Sequence, residues 1–166
     1  CRDQTNLGIV QAGNINSPGQ IVIAGENAAL KAAMDACQSA GAKRAMLLAV
    51  SAPFHCTLMQ PAADEMRSTL ANVTFKPPVI KIIQNVDADY CDSPEKIREN
   101  LVEQMYSAVL WTDTITKMAA DGITRVVECG PGRVLAGLNR RIDKSVSTFN
   151  INSLESIDSI TQELAA

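Results

Sequence analysis

Thr124-Arg125-Val126-Val127-Glu128-Cys129-Gly130-Pro131-Gly132 is the stretch whose reading decides the fold. Two adjacent valines at its centre predict a strand over 124–129. Gly-Pro-Gly then turns the chain sharply, and a helical pattern runs over 133–142. A second β-rich run follows over 147–151. Strand, helix, strand is the unit of a parallel sheet, because parallel strands need a long crossover between them. Working outward, helices are expected over 93–106 and 112–121 before this unit, and over 156–164 after it. Ser93 reads as an N-cap with Pro94 at the first helical position, and Gly122 stops the second helix. The alternation implies an α/β fold with a largely parallel sheet and helices on its faces.

Toward the start of the chain the pattern changes. A strand is expected over 8–13, a turn over 14–20 and a strand over 21–25, together a hairpin. A helix over 26–40 places Leu30, Ala33, Met34 and Cys37 at helical spacing, with Gly41 as its cap. The apolar run 45–50 reads as another strand. The order β-β-α-β is most of a ferredoxin-like unit without its opening elements. Beyond it, a helix is expected over 60–72, closed off by Pro77-Pro78. Residues 79–83 read as a buried strand and 85–89 as a loop.

Composition narrows the class. Of 166 residues, 46% are hydrophobic and 20% charged, with a formal net charge of −3, which is ordinary globular composition. One domain is the default at this length. No apolar run reaches the ~18 residues of a membrane span, and mild acidity gives no reason to expect nucleic acid. Five scattered cysteines contain no C-x-x-C pair, so neither zinc nor a redox dithiol is suggested, and a reducing cytoplasm is the expected setting. The opening at Cys1, in a polar stretch without an element of its own, reads as a chain cut from something longer.

The chemistry concentrates at Ser51-Ala52-Pro53-Phe54-His55-Cys56-Thr57-Leu58-Met59, which holds the only histidine. The loop after a strand is where α/β enzymes place catalytic groups, and histidine moves protons near neutral pH. By residue type alone, a loop histidine with a satisfied hydrogen bond is the commoner case. Cys56 stands beside it, but adjacent residues on an extended loop point apart, which is poor geometry for activating a nucleophile. Asn14 and Asn16 can read a ligand carbonyl or carboxylate, or can close their own turn. Glu128-Cys129-Gly130-Pro131-Gly132 opens a helix, and such an N-terminus attracts anions. A purely structural turn fits equally well, since Leu135 stands where a G-x-G-x-x-G needs its last glycine. No G-x-S-x-G nucleophile elbow occurs anywhere.

Taken together and in order, these stretches resemble the C-terminal part of a malonyl-CoA:acyl carrier protein transacylase. The resemblance rests on five segments. They are Asn14 through Gly25; Gly41-Ala42-Lys43-Arg44 through Met59; Asn85-Val86-Asp87; Gln104-Met105-Tyr106 with Val109-Leu110-Trp111; and Glu128 through Gly132. It implies part of an α/β-hydrolase-like core with a parallel sheet, plus part of a ferredoxin-like small subdomain. Residues 1–52 would form the subdomain and 53–166 the C-terminal part of the core. The implied reaction is ping-pong malonyl transfer through a serine acyl-enzyme, in fatty acid biosynthesis. The substrates would be malonyl-CoA and the phosphopantetheine thiol of acyl carrier protein, with no separate cofactor, no metal, no nucleic acid and no membrane. His55 would be the base, oriented by the backbone carbonyl matching Gln104. Phe54 would wall the acyl pocket, and Asn14 and Asn16 would line the same cleft. The family's nucleophilic serine, carboxylate-clamping arginine and oxyanion loop lie upstream of the matched region, so these residues alone are expected to be inactive. An acyltransferase domain of a larger polyketide or fatty acid synthase fits the same motifs. So does a non-catalytic binding module that keeps the histidine half.

Overall fold

The computed structural model of the chain describes residues 6–165. Strands β1 (Val10–Ser17) and β2 (Gln20–Gly25) form an antiparallel hairpin closed at Pro18-Gly19, where Gly19 takes φ +76°. The turn is therefore tighter than the expected 14–20. Pairing continues to Ser17 and Gln20, so Asn14 and Asn16 lie within β1. The register slips twice, between Ala12 and Asn14 and between Ile15 and Ser17, and each slip leaves one residue of β1 unpaired. Helix α1 (Asn27–Ser39) covers the hairpin, burying Ala29 and Ala33 with Val10 against Ile23 and Leu30. It ends in a Schellman pair. The Gly41 N–H donates to the Gln38 carbonyl at 3.0 Å and the Ala42 N–H to the Cys37 carbonyl at 2.9 Å, with Gly41 at φ +93°.

The expected strand 45–50 does not form. Among the described residues nothing pairs with it, and the Val50 N–H instead donates to the Leu48 carbonyl at 2.9 Å. A β-branched and leucine-rich run can specify a strand, but it needs a neighbour to receive its backbone groups. Among the described residues, 6–50 are thus β-β-α rather than β-β-α-β.

A 3-10 turn, Thr57–Met59, leads into α2 (Gln60–Leu70). The expected buried strand 79–83 is replaced by a short surface hairpin of β3 (Ile82–Gln84) and β4 (Asp89–Cys91). Val79 and Ile80 are almost wholly exposed. Helix α3 (Pro94–Glu103) starts as the sequence predicts, with the Ser93 hydroxyl accepting from the Lys96 N–H at 3.3 Å. It packs on α2. Then come α4 (Trp111–Ala120), β5 (Arg125–Cys129), α5 (Val134–Ile142), β6 (Ser147–Ile151) and α6 (Leu154–Ala165).

β5 and β6 are parallel, registered from Arg125 opposite Ser147 to Cys129 opposite Ile151, with α5 as their crossover. This is the unit read from residues 124–151. The described strands, however, form three two-stranded sheets, and only this one is parallel. The other two pairs are joined by turns too short for a crossover, so antiparallel pairing is their only option. The fold is mixed α/β, not a single largely parallel sheet. Among the described residues no helix is long and apolar enough to cross a membrane.

Candidate active site

Four segments meet at His55. The first is its own loop, pinned by Cys56, which is fully buried and donates its thiol to the Pro53 carbonyl at 3.1 Å. The next N–H, of Thr57, donates to the Gln11 side chain on β1 at 2.7 Å. The second segment is β1 itself. A Cβ at Gly13 would sit 3.1 Å from the Phe54 carbonyl and 3.6 Å from the His55 Cβ, so the strand passes the loop closely and a side chain there would press it back by a few tenths of an ångström. The third is Val109, which bridges β1 in parallel fashion. Its N–H donates to the Gly13 carbonyl, and its carbonyl accepts from the Ile15 N–H, both at 2.9 Å.

The fourth is the C-terminal end of α3, and it sets the chemistry. The last carbonyls of a helix have no partner within it. Here two of the carbonyls just past α3 face the histidine. That of Met105 accepts the His55 N–H at 3.2 Å, and that of Gln104 lies 2.8 Å from His55 Nδ1. A carbonyl oxygen only accepts, so Nδ1 carries the hydrogen of the neutral ring. Nε2 is then the nitrogen with the free lone pair, the tautomer a general base needs. His55 adopts φ +63°. That left-handed conformation costs about 1–2 kcal/mol for a residue with a Cβ, and the two bonds to α3 hold it in place. The sequence marks this conformation only through the residue type, since histidine, like asparagine and aspartate, is over-represented among the few non-glycine residues at positive φ.

Asn14 and Asn16 lie half-buried on β1 beside this junction, and Asn16 is the residue skipped by the second bulge. Among the described residues neither side-chain amide has a hydrogen-bond partner, so these amides do not close the hairpin turn. Bulges re-aim side chains and recur next to active sites. Phe54 precedes the histidine with its side chain half-exposed, outside the core.

Glu128 resolves the alternative left open for the Gly-Pro-Gly turn. Its carboxylate accepts from the Leu135 and Ala136 N–H groups, both at 3.0 Å. The N-terminus of α5 is thus filled by the protein's own carboxylate, so the turn is structural rather than an anion seat. Trp111 is structural as well. Its indole N–H donates to Asn139, which donates in turn to Thr148, each at 3.0 Å, tying α4 to α5 and β6. Displaced titrations lie away from the histidine. Asp89 is held below its usual carboxylate range by the Tyr90 N–H and by Lys117, and Lys117 is held above the ordinary lysine range by Asp121 and Asp89.

Comparison with known proteins places this geometry in a family. Residues 2–162 match the family described as an acyl transferase domain. The chain belongs to that family. Within it, the chain is 44% identical over 164 residues to a malonyl CoA-acyl carrier protein transacylase of Haemophilus influenzae, a match covering 99% of this chain and 53% of the relative. An acyl carrier protein S-malonyltransferase of Vibrio cholerae superposes with a TM-score of 0.94 at 45% identity, covering 96% of this chain and 52% of that one. A malonyl-transacylase solved in complex with a type II polyketide synthase acyl-carrier protein superposes with a TM-score of 0.95 at 44% identity, covering 98% and 53%. The chain thus spans about half the length of the transacylases it matches.

Proposed function

We propose that this chain is the histidine-bearing half of a transacylase that moves a malonyl group from coenzyme A to the phosphopantetheine thiol of acyl carrier protein. The single observation that carries the reading is the 2.8 Å contact between His55 Nδ1 and the Gln104 carbonyl, which leaves Nε2 as the base. In the first half-reaction, Nε2 takes the proton of a serine hydroxyl supplied from outside these 166 residues. The serine oxygen attacks the malonyl thioester, and coenzyme A leaves with that proton. In the second, Nε2 takes the proton of the carrier thiol, which attacks the acyl-serine ester. The proton returns to the serine as the ester breaks. Asn14 and Asn16 offer their amides to the acyl group in the cleft, and Phe54 forms its wall. Residues 1–52 would belong to a ferredoxin-like subdomain and 53–166 to an α/β-hydrolase-like core. The enzyme would work in the cytoplasm.

The test is malonyl transfer by the full-length protein from malonyl-CoA to phosphopantetheinylated acyl carrier protein. A protein that leaves the carrier unacylated would overturn the reading. Two further results are expected. The 166 residues alone should remain unlabelled by radioactive malonyl-CoA, because no serine sits in a nucleophile elbow. Stable acyl-serine on this chain would contradict that. Phe54→Ser in the full-length protein should raise the relative use of methylmalonyl-CoA by up to ~10–200-fold, the range of methylene-scale steric discrimination. Direct competition between the two esters measures it, and an unchanged ratio places Phe54 outside the pocket.

A further inference from the structure

We propose that Asn100 is a positioning residue that fixes the Gln104 carbonyl against His55, acting with Gln84 and Asp87. Asn100 is almost completely buried, at 1% exposure, in the last turn and a half of α3. Its amide nitrogen donates to Gln84 Oε1 at 2.9 Å and to Asp87 Oδ2 at 2.7 Å. Its backbone carbonyl accepts the Gln104 N–H at 2.9 Å. One residue therefore grips the β3–β4 turn with its side chain and the histidine's orienting residue with its main chain.

The grip extends to the other side of the site. The turn is tight, with Ala88 at φ +52° and its N–H on the Gln84 carbonyl at 2.9 Å. Next to Gln84, the Asn85 carbonyl accepts the Leu110 N–H at 2.8 Å, and Val109 beside it is the residue bridged to Asn14 on β1. Fixing this turn thus fixes both the carbonyl that orients the histidine and the segment that carries Asn14. Among the described residues the Asn100 Oδ1 is buried with no partner. A buried acceptor left unsatisfied is a cost that an apolar side chain of similar size would avoid. What compensates is the pair of bonds made by the amide nitrogen. Sites that depend on hydrogen-bond geometry are sensitive to displacements of about 1 Å.

This inference rests on the transfer reading for its kinetic consequence but not for its structural one, and the experiment separates them. In the full-length protein, the tautomer of His55 is read from its imidazole 15N shifts, assigned by their loss in His55→Gln. The wild-type ring should be predominantly protonated at Nδ1. In Asn100→Ala that share should fall at least about twofold, because the other nitrogen's hydrogen bond no longer selects it. The same variant should lose about 10–100-fold in kcat, with KM for malonyl-CoA changed less than about threefold. Asp87→Ala, at the more exposed end of the same bond, gives the same two readouts where Asn100→Ala does not fold. The exchange Asn100→Asp with Asp87→Asn reverses donor and acceptor, and should recover tautomer and kcat together. A folded Asn100→Ala or Asp87→Ala protein with wild-type tautomer and kcat overturns the proposal, as does a fall in both that the exchange fails to recover. No carrier acylation by the wild type would count against the transfer reading, while the tautomer still judges the positioning role.

Discussion

His55→Ala in the full-length protein is expected to lower the rate of malonyl transfer by about 10²–10⁴-fold, the usual range for loss of a general base. The size follows from what the side chain alone supplies. Gln104 and Met105 contribute only carbonyls to the junction, and neither can take a proton at neutral pH. Cys56 cannot replace the histidine, because its thiol is buried and donates to the Pro53 carbonyl. Folding should change little. Alanine can occupy φ +63° at a cost within about 1–2 kcal/mol, and the backbone bond to Met105 remains. His55→Asn separates chemistry from fold more sharply. Asparagine, like histidine, tolerates the left-handed region better than most residues, so this variant should fold more readily than His55→Ala yet be equally inactive. Single-turnover acylation by malonyl-CoA, with the thermal midpoint measured on the same samples, checks both. Full turnover by either variant would make His55 structural.

Legibility in the sequence followed how local each determinant is. The β5-α5-β6 unit was readable because its strands, turn and helix carry their own signals: Val126-Val127, the Gly-Pro-Gly turn and the helical run after it. The Ser93-Pro94 start of α3 and the Gly41 cap of α1 were readable for the same reason. Residues 45–50 and 79–83 misled because an apolar β-type run states only that a strand is possible. Whether it forms depends on a partner elsewhere in space. The cluster of asparagine, proline and glycine around Asn14 and Asn16 reads as a turn, but the two bulges of β1 let the strand run on to Ser17. At the site, the histidine stood out by being single. Its contact with Gln104 came from resemblance, since a bond between residues 49 apart has no local signature. Asn100 was missed altogether: a polar residue inside a helix reads as solvent-facing until its burial is seen.

Produced as these 166 residues alone, the chain is expected to be insoluble or molten. A folded monomer of 17.8 kDa should expose about 8,000 Å² of solvent-accessible surface. This chain exposes 10878 Å², about a third more. The excess is apolar where it is most concentrated. Met46, Leu47, Leu48 and Val50 are each more than half exposed, and Val79 and Ile80 more so. They lie in the two runs read from the sequence as strands, and among the described residues 45–50 and 79–81 have no sheet partners, pairing beginning only at Ile82. Unpaired β-type segments with apolar side chains are templates for aggregation. Few large apolar side chains are fully enclosed: Ile115 is, but the other apolar residues buried as deeply are Ala29, Ala33, Cys56 and Ala63. Net stability of a domain is only about 5–15 kcal/mol, and a core this thin leaves little margin against the entropy of ordering the chain. A hydrophobic dye should therefore bind strongly, with near-ultraviolet dichroism weak and far-ultraviolet dichroism retained. Co-expression with the remaining half of the full-length protein should restore solubility and remove dye binding, because the exposed runs would then gain strand partners. A sharp, cooperative thermal transition of the 166 residues alone at dilute concentration would refute this, and would mean that the runs 45–50 and 79–83 need no cover.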